Sequence, residues 1–199
     1  VMYDDYPNRL GQIAMLTSLV LLAVCVVIQS IYGVGLLVFG TPILLLNGMD
    51  FFSVLGFLLP SSVMISLIQI YETRENAIRE TRLIPLATLG IFIGVIFLKI
   101  NSVPAQMAVI MTVAMFMTAT LRSFPKAMKC LGSKLDLYGK AFHFLNAVFH
   151  GFSNMGGTLL SVYSTTVYSD KVRAVRCTAV FYFIYALSQI ITITLLGNG

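Results

Sequence analysis

Two glycine-rich groups inside long charge-free stretches are the residues best suited to chemistry in this chain. The first group lies in the run from 10 to 49 and the second in the run from 141 to 169. Their members are Gly35, Gly40, Thr41 and Pro42 in the first run, and Gly151, Asn154, Gly156, Gly157 and Thr158 in the second. Because Gly tolerates unusual backbone angles and Pro lacks a backbone donor, each group predicts a broken helix.

A helix that restarts after such a break favours an anion. We expect half-helices to begin after Gly40-Thr41-Pro42 and after Gly156-Gly157-Thr158. The first turn of a helix carries free N–H groups and a partial positive charge, and glycine lets a ligand approach the backbone closely. The two groups therefore predict binding of a small anion at two helix starts.

Neutral polar side chains complete the predicted binding set. Lys, Arg, Asp and Glu stand only between the apolar runs, so a proton relay of membrane carboxylates is not expected there. Ser61, Ser62, Gln69 and Gln189 remain, and the two glutamines are placed alike, late in the helix that follows each break. The structural alternative for the Ser, Thr and Asn residues is hydrogen bonding between helices.

Histidine and cysteine do not form a recognisable reactive site. His143 and His150 lie seven residues apart with no carboxylate or Cys beside them, which makes a poor metal site. A structural role is favoured for both, with His150 the one that merits a test. Cys25, Cys130 and Cys177 are scattered without ligand spacing. No catalytic residue, metal or cofactor is predicted.

Composition places these residues in a membrane. The chain has 199 residues, of which 58% are hydrophobic and 11% charged, with a mean hydropathy of +0.90. Soluble domains are roughly 25% charged. The charge-free runs are 10–49, 51–71, 83–98, 100–121, 141–169 and 177–199, and most of them can span a bilayer. The chain has a net charge of +5, but its basic residues stand in short loops between the apolar runs, so nucleic-acid binding is not expected.

The run from 10 to 49 is too long for one crossing. Its 40 residues would form a helix of about 60 Å, about twice the hydrocarbon thickness. If both glycine-broken runs are hairpins that return to the side they entered, 11 of the 13 Lys and Arg residues lie on one side. The positive-inside rule makes that side cytoplasmic and puts the N-terminus outside.

The two breaks resemble each other, which indicates an internal duplication. Gly35 aligns with Gly151 and Gly40 with Gly156. We therefore predict an all-α integral membrane protein, an inverted-repeat helical bundle with two Gly-broken re-entrant-like hairpins. The predicted parts are a first repeat at 1–122, a basic connector at 123–140 lying on anionic lipid, and a partial second repeat at 141–199 that lacks its last two helices.

Several segments resemble the TauE/SafE (TSUP) family of sulfite and organosulfur anion exporters. They are GVGLLVFGTPILLL, LIPLATLGIFIGVIFLKI, and GFSNMGGTLLSVY followed by RAVRCTAVFYFIYALSQI. The resemblance implies a multi-pass transporter of the bacterial inner membrane, with about eight membrane segments in two inverted repeats. Thr158 stands where the family signature has a proline-like position, so substrate identity is expected to differ accordingly.

The leading hypothesis is a transporter that exports small sulfur-containing oxyanions by alternating access, with the bilayer and the anion as its partners. A homo-oligomer is left open. One alternative is a membrane assembly subunit without transport activity of its own. Another is an intramembrane transferase, which is disfavoured because no interfacial His, Asp or Cys constellation is present.

Overall fold

The computed structural model of the chain describes residues 6–32, 35–76, 78–101 and 138–197, together with isolated positions between 109 and 137. Within these residues the chain is helical and contains no strand, as predicted. The helices are α1 (Tyr6–Tyr32), α2 (Leu36–Leu46), α3 (Phe51–Glu72), α4 (Ile84–Asn101), α5 (Gly139–Ser153), α6 (Gly156–Val167) and α7 (Lys171–Gly197), with a 3-10 turn, Glu80–Leu83, before α4.

Helix length separates the elements that follow α1, which itself has 27 residues, into two groups. Three segments, Phe51–Glu72, Glu80–Asn101 and Lys171–Gly197, are long and apolar enough to cross a membrane. The helices α2, α5 and α6 have 11, 15 and 12 residues. At about 1.5 Å per residue each is shorter than the hydrocarbon thickness of about 30 Å. The predicted run 100–121 and the connector 123–140 lie largely outside the described residues.

Both glycine-rich runs are interrupted where the chain folds back on the helix it has just left. The first break lies between α1 and α2, and the second break consists of Asn154 and Met155, between α5 and α6. A Cβ on Gly35 would lie 2.8 Å from the Gln29 nitrogen. A Cβ on Gly156 would lie 2.5 Å from the Cβ of His150. Each turn therefore needs a glycine because backbone and side chain come so close there.

The predicted start of the first half-helix is wrong. The helix α2 begins at Leu36 and continues through Gly40, Thr41 and Pro42. The chain needs only one residue without a side chain against α1, and Gly35 supplies it, so the helix resumes at once. Pro42 removes one hydrogen bond inside α2 without ending the helix. At the second break, Gly156-Gly157-Thr158 form the first turn of α6 and do not precede it.

Four of the six helix bounds of α1–α3 correspond to bounds of α5–α7 at residue numbers that differ by 120 or 121, whereas the start of α1 and the end of α3 do not. The ends of α1 and α5, Tyr32 and Ser153, match in this register, and so do the ends of α2 and α6. At a difference of 121, which matches the helix ends, Gly35 pairs with Gly156 and not with Gly151, the partner that the sequence alignment predicted. That alignment matched glycine to glycine, whereas the backbone contacts of each turn decide the register.

Polar contacts define the two ends of the bundle. The Nη1 atom of Arg176 at the start of α7 donates to the Ile70 carbonyl at the end of α3 (3.0 Å), so these two packed helices run antiparallel. Near them, the Arg79 N–H donates to the Tyr168 hydroxyl, which follows α6 (3.2 Å). We call this the basic end. At the opposite end, the ammonium group of Lys99 donates to the Leu196 carbonyl.

The hairpin of α5 and α6 starts and finishes at the basic end. The first residues of α5, Gly139 and Lys140, line one cavity with Arg79. The last residues of α6 lie beside Tyr168, which contacts Arg79 and Glu80. The second glycine-rich run is thus a hairpin that returns to the end from which it entered.

Glycine residues also allow α4 and α5 to cross closely. A Cβ on Gly90 would lie 2.8 Å from the Phe144 carbonyl oxygen, and a Cβ on Gly151 would lie 2.5 Å from the Ile91 carbonyl oxygen. Gly94 also contacts Gly151. The predicted role of Gly151 in substrate binding is therefore replaced by a role in helix packing.

Candidate functional site

The start of α6 is the centre of the candidate site. Asn154 has a left-handed backbone (φ 61°), which Asn tolerates better than most residues, and it turns the chain between α5 and α6. Met155 occupies the N-cap position and makes no side-chain capping hydrogen bond. The Thr158 N–H donates to the Met155 carbonyl (3.1 Å), whereas the N–H groups of Gly156 and Gly157 show no backbone partner among the described residues. Gly156 and Gly157 therefore open this turn as a set of backbone donors.

The Tyr182 hydroxyl on α7 lies directly over this turn. It occupies the position that a side chain on Gly157 would need, so any larger residue there would displace the ring. Tyr182 is fully buried, and its hydroxyl has no hydrogen-bond partner in the described part of the chain. A buried hydroxyl without a partner costs free energy, which makes this group a candidate ligand.

His150 borders the same turn from α5. Its Cγ would lie 3.1 Å from a Cβ on Gly156, and its ring packs against the Tyr185 ring at a centroid distance of 4.7 Å. His150 is fully buried, and neither ring nitrogen has a partner among the described residues. The Tyr185 hydroxyl, in contrast, accepts a hydrogen bond from the Asn146 amide (3.2 Å).

The two glutamines have matching positions and contacts. The Nε2 atom of Gln69 donates to the Gln29 carbonyl near the end of α1 (3.0 Å). The Nε2 atom of Gln189 donates to the carbonyl groups of His150 and Gly151 near the end of α5 (3.4 Å each). Each amide therefore fixes the end of the helix that precedes a break. The Oε1 atoms of both glutamines remain without partners in the described residues.

One hydrogen bond joins the two hairpins. The Asn154 amide donates to the Thr41 hydroxyl (2.8 Å), so the side of α2, and not its start, faces the second break. The Thr158 hydroxyl donates to the Met155 carbonyl (2.9 Å) and is therefore used within the turn itself.

The predicted binding residues fall into two groups, according to whether they lie at the second break. Those that meet around the second break are Thr41, Asn154, Gly156, Gly157, Thr158 and Gln189. The others serve elsewhere. Gly35 packs on α1, and Gly40 packs on α3, where a Cβ would lie 3.1 Å from the Leu58 side chain. Pro42 lies inside α2. Gln69 holds the first break, Ser61 is half-buried, and Ser62 is buried with a hydroxyl that has no partner in the described part of the chain.

Sequence reasoning missed Tyr182 and Gln29 and gave too little weight to His150. One signal was present for Tyr182, because it stands seven residues before Gln189 and therefore on the same helix face. Runs 141–169 and 177–199 contain no Lys, Arg, Asp or Glu, so α5 beyond Lys140, α6 and most of α7 supply only neutral groups and a helix dipole. Among the described residues, no three His, Cys, Asp or Glu side chains are grouped as metal ligands.

Comparison with known proteins adds no assignment. No protein-family model matches the chain, and neither a curated protein nor a solved structure matches it significantly.

Proposed function

We propose that the protein is a membrane transporter that exports small sulfur-containing oxyanions such as sulfite or organosulfonates, as the TauE/SafE resemblance predicts. The anion binds at the start of α6. The observation that carries the proposal is the buried, unpartnered Tyr182 hydroxyl directed at Gly157. Two neutral donor types, the O–H group of Tyr182 and the N–H groups of the first turn, then converge on one oxyanion.

A neutral site suits a solute that must be bound and then released. Burying an anion is costly unless hydrogen bonds and dipoles replace its hydration. The start of α6 supplies about half an elementary charge of positive potential, and the Tyr182 hydroxyl adds a hydrogen bond. A buried Lys or Arg would hold the anion more strongly and slow its release. A sulfur oxyanion offers several acceptor oxygens to such a set of donors.

Two features of the fold support alternating access by an inverted repeat. Four of the six helix bounds of α1–α3 recur in α5–α7, and the corresponding helices α3 and α7 run antiparallel. Inside the bundle the side of α2 meets the second break, through the hydrogen bond of Asn154 to Thr41. Transporters with inverted repeats bind their substrates between the repeats, at broken helices. By the positive-inside rule, we place the basic end in the cytoplasm.

A pair of tyrosine variants tests the proposal. Tyr182→Phe removes the unpartnered hydroxyl, and we expect sulfite binding and sulfite flux in proteoliposomes to fall about tenfold, since a hydrogen bond to a charged group contributes about 1.5–3 kcal/mol. Tyr185→Phe is the matched control. Tyr185 is on the same helix as Tyr182, but its hydroxyl already accepts a hydrogen bond from Asn146 of α5. We expect it to change both within about threefold. Equal effects of the two variants, or no binding by the unaltered protein, would refute the site.

A further inference from the structure

A cavity of about 450 Å³ lies at the basic end, away from the second break. Most of its wall comes from the 3-10 turn before α4 and from the start of α5, and Tyr163 of α6 completes it. The lining side chains that matter here are Arg79, Arg82, Leu137, Tyr138, Lys140 and Tyr163. The 15 residues of α5, about 22 Å of helix, separate this cavity from the start of α6.

The cavity carries a net positive charge. Among the described residues that line it, Glu80 is the acidic one, and it is only 2% exposed. The Glu80 carboxylate accepts hydrogen bonds from the Tyr163 hydroxyl (3.0 Å), the Tyr168 hydroxyl and the Arg79 Nε atom (3.1 Å). Burial and the hydrogen bond to Glu80 both raise the pKa of Tyr168, so this hydroxyl stays protonated as a donor. The carboxylate is therefore fully engaged by the protein.

Arg82 and Lys140 supply the charge that remains. Both are exposed, and neither forms an ion pair within the described parts of the chain. They belong to different elements of the wall, since Arg82 is in the 3-10 turn before α4 and Lys140 is in the first turn of α5. An anion between them would bring together the starts of two helices.

The rest of the wall is apolar and open to the surroundings. Leu137 is 76% exposed and Tyr138 is 63% exposed, and both stand where apolar helices emerge at the basic end. Tyrosine prefers the boundary between hydrocarbon and headgroups. Cations beside exposed apolar side chains match a molecule with a charged head and an apolar tail, whereas a soluble anion would use only the cations.

We propose that this cavity binds the phosphate headgroup of an anionic phospholipid. Arg82 and Lys140 contact the phosphate, and Leu137 and Tyr138 contact the glycerol and the first methylene groups. Positive residues at a membrane surface attract anionic lipid, and each contributes several-fold in affinity. The lipid holds the start of α4 against the start of α5, in addition to the contacts of Glu80.

The test compares two double variants that remove the same charge at the same end. Detergent-solubilised protein is titrated with phosphatidylglycerol or phosphatidylcholine, and bound lipid is counted by native mass spectrometry. We expect Arg82→Gln with Lys140→Gln to weaken phosphatidylglycerol binding at least tenfold. Lys171→Gln with Arg173→Gln is the control, because these residues lie at the basic end but do not line this cavity. Thermal unfolding verifies that both variants fold.

The outcomes separate the lipid from other ligands. We expect Leu137→Gln to weaken phosphatidylglycerol binding and to leave inorganic phosphate binding unchanged. Equal binding of the two lipids, equal losses in the two double variants, or displacement of phosphatidylglycerol by equimolar phosphate would overturn the proposal. Sulfite binding at the start of α6 is expected to survive in the Arg82 and Lys140 double variant, so this test stands apart from that of the transport function.

Discussion

Both breaks place a glycine against the helix that the chain has just left, but they differ in what covers the restarting helix. At the first break, the Gln29 side chain accepts a hydrogen bond from the Leu36 N–H group (3.0 Å). At the second break, His150 takes the place of Gln29, and its ring nitrogens bind nothing in the described residues. The first helix start is thus capped by the protein, whereas the second leaves its donors for a ligand. A broken helix is not by itself a binding site.

The glutamine side chains that bind next to the two breaks also differ, in the length of their hydrogen bonds. Gln69 binds the Gln29 carbonyl at 3.0 Å, whereas Gln189 binds the His150 carbonyl at 3.4 Å, which is long for a hydrogen bond. The first break is therefore the tighter of the two. Changes at the first break should reduce stability, and changes at the second should reduce anion binding.

The largest effect is expected for Gly157→Ala. The added methyl group would occupy the space of the Tyr182 hydroxyl, so the ring must move and the donors no longer converge. We expect loss of measurable sulfite binding and destabilisation by about 1–3 kcal/mol. Isothermal titration and thermal unfolding measure the two effects. Gly56→Ala in α3 is the control, because a Cβ there meets nothing within 4 Å. Retained binding by Gly157→Ala would contradict the assignment of the site.

The second prediction compares the loss of stability caused by equivalent substitutions at the two breaks. Gln29→Leu leaves the buried Leu36 N–H group without its acceptor, and we expect a loss of about 1–3 kcal/mol in the free energy of unfolding. His150→Leu removes no hydrogen bond made by the ring within the described residues and should destabilise the protein by less than Gln29→Leu. Denaturant unfolding in mixed micelles gives both values. Similar losses in both variants would show that the two breaks are equivalent.

The third prediction converts the second break into a copy of the first. His150→Gln places an amide where Gln29 stands in the first break, so its oxygen can accept the N–H groups of α6. We expect stability to rise by about 1 kcal/mol, the net value of a typical hydrogen bond, while sulfite affinity falls about tenfold. Unfolding and binding are measured on the same preparation. Higher affinity in this variant would mean that capping and anion binding do not compete.

The smallest effect is expected for the link between the hairpins. A double-mutant cycle of Thr41→Val and Asn154→Ala should give a coupling energy of about 0.5–1.5 kcal/mol, as for a single buried hydrogen bond. The same cycle with Ser62→Ala in place of Thr41→Val is the comparison, since the Ser62 hydroxyl has no partner in the described residues. Additive effects in the first cycle would show that Thr41 and Asn154 do not couple the two hairpins.

Local sequence signals predicted the breaks but not their register. Gly and Pro show where a helix can end, and both runs do break. Which glycine lies against the preceding helix depends on a tertiary contact, such as that of Gly35 with Gln29, which the order of residues does not reveal. Tyr182 was missed for the same reason, because only the packing of α7 on α6 brings its hydroxyl to Gly157. The glutamines were found because their placement after each break is itself a sequence feature.

The contacts of Glu80 give α6 a pivot. Tyr163 and Tyr168 tie the far end of this helix to the 3-10 turn before α4. The 12 residues of α6 form a lever of about 18 Å, so a tilt of about 10° would carry Gly156 about 3 Å sideways while the anchored end stays in place. A displacement of this size is enough to break a hydrogen bond, so it would release the bound solute without unwinding any helix.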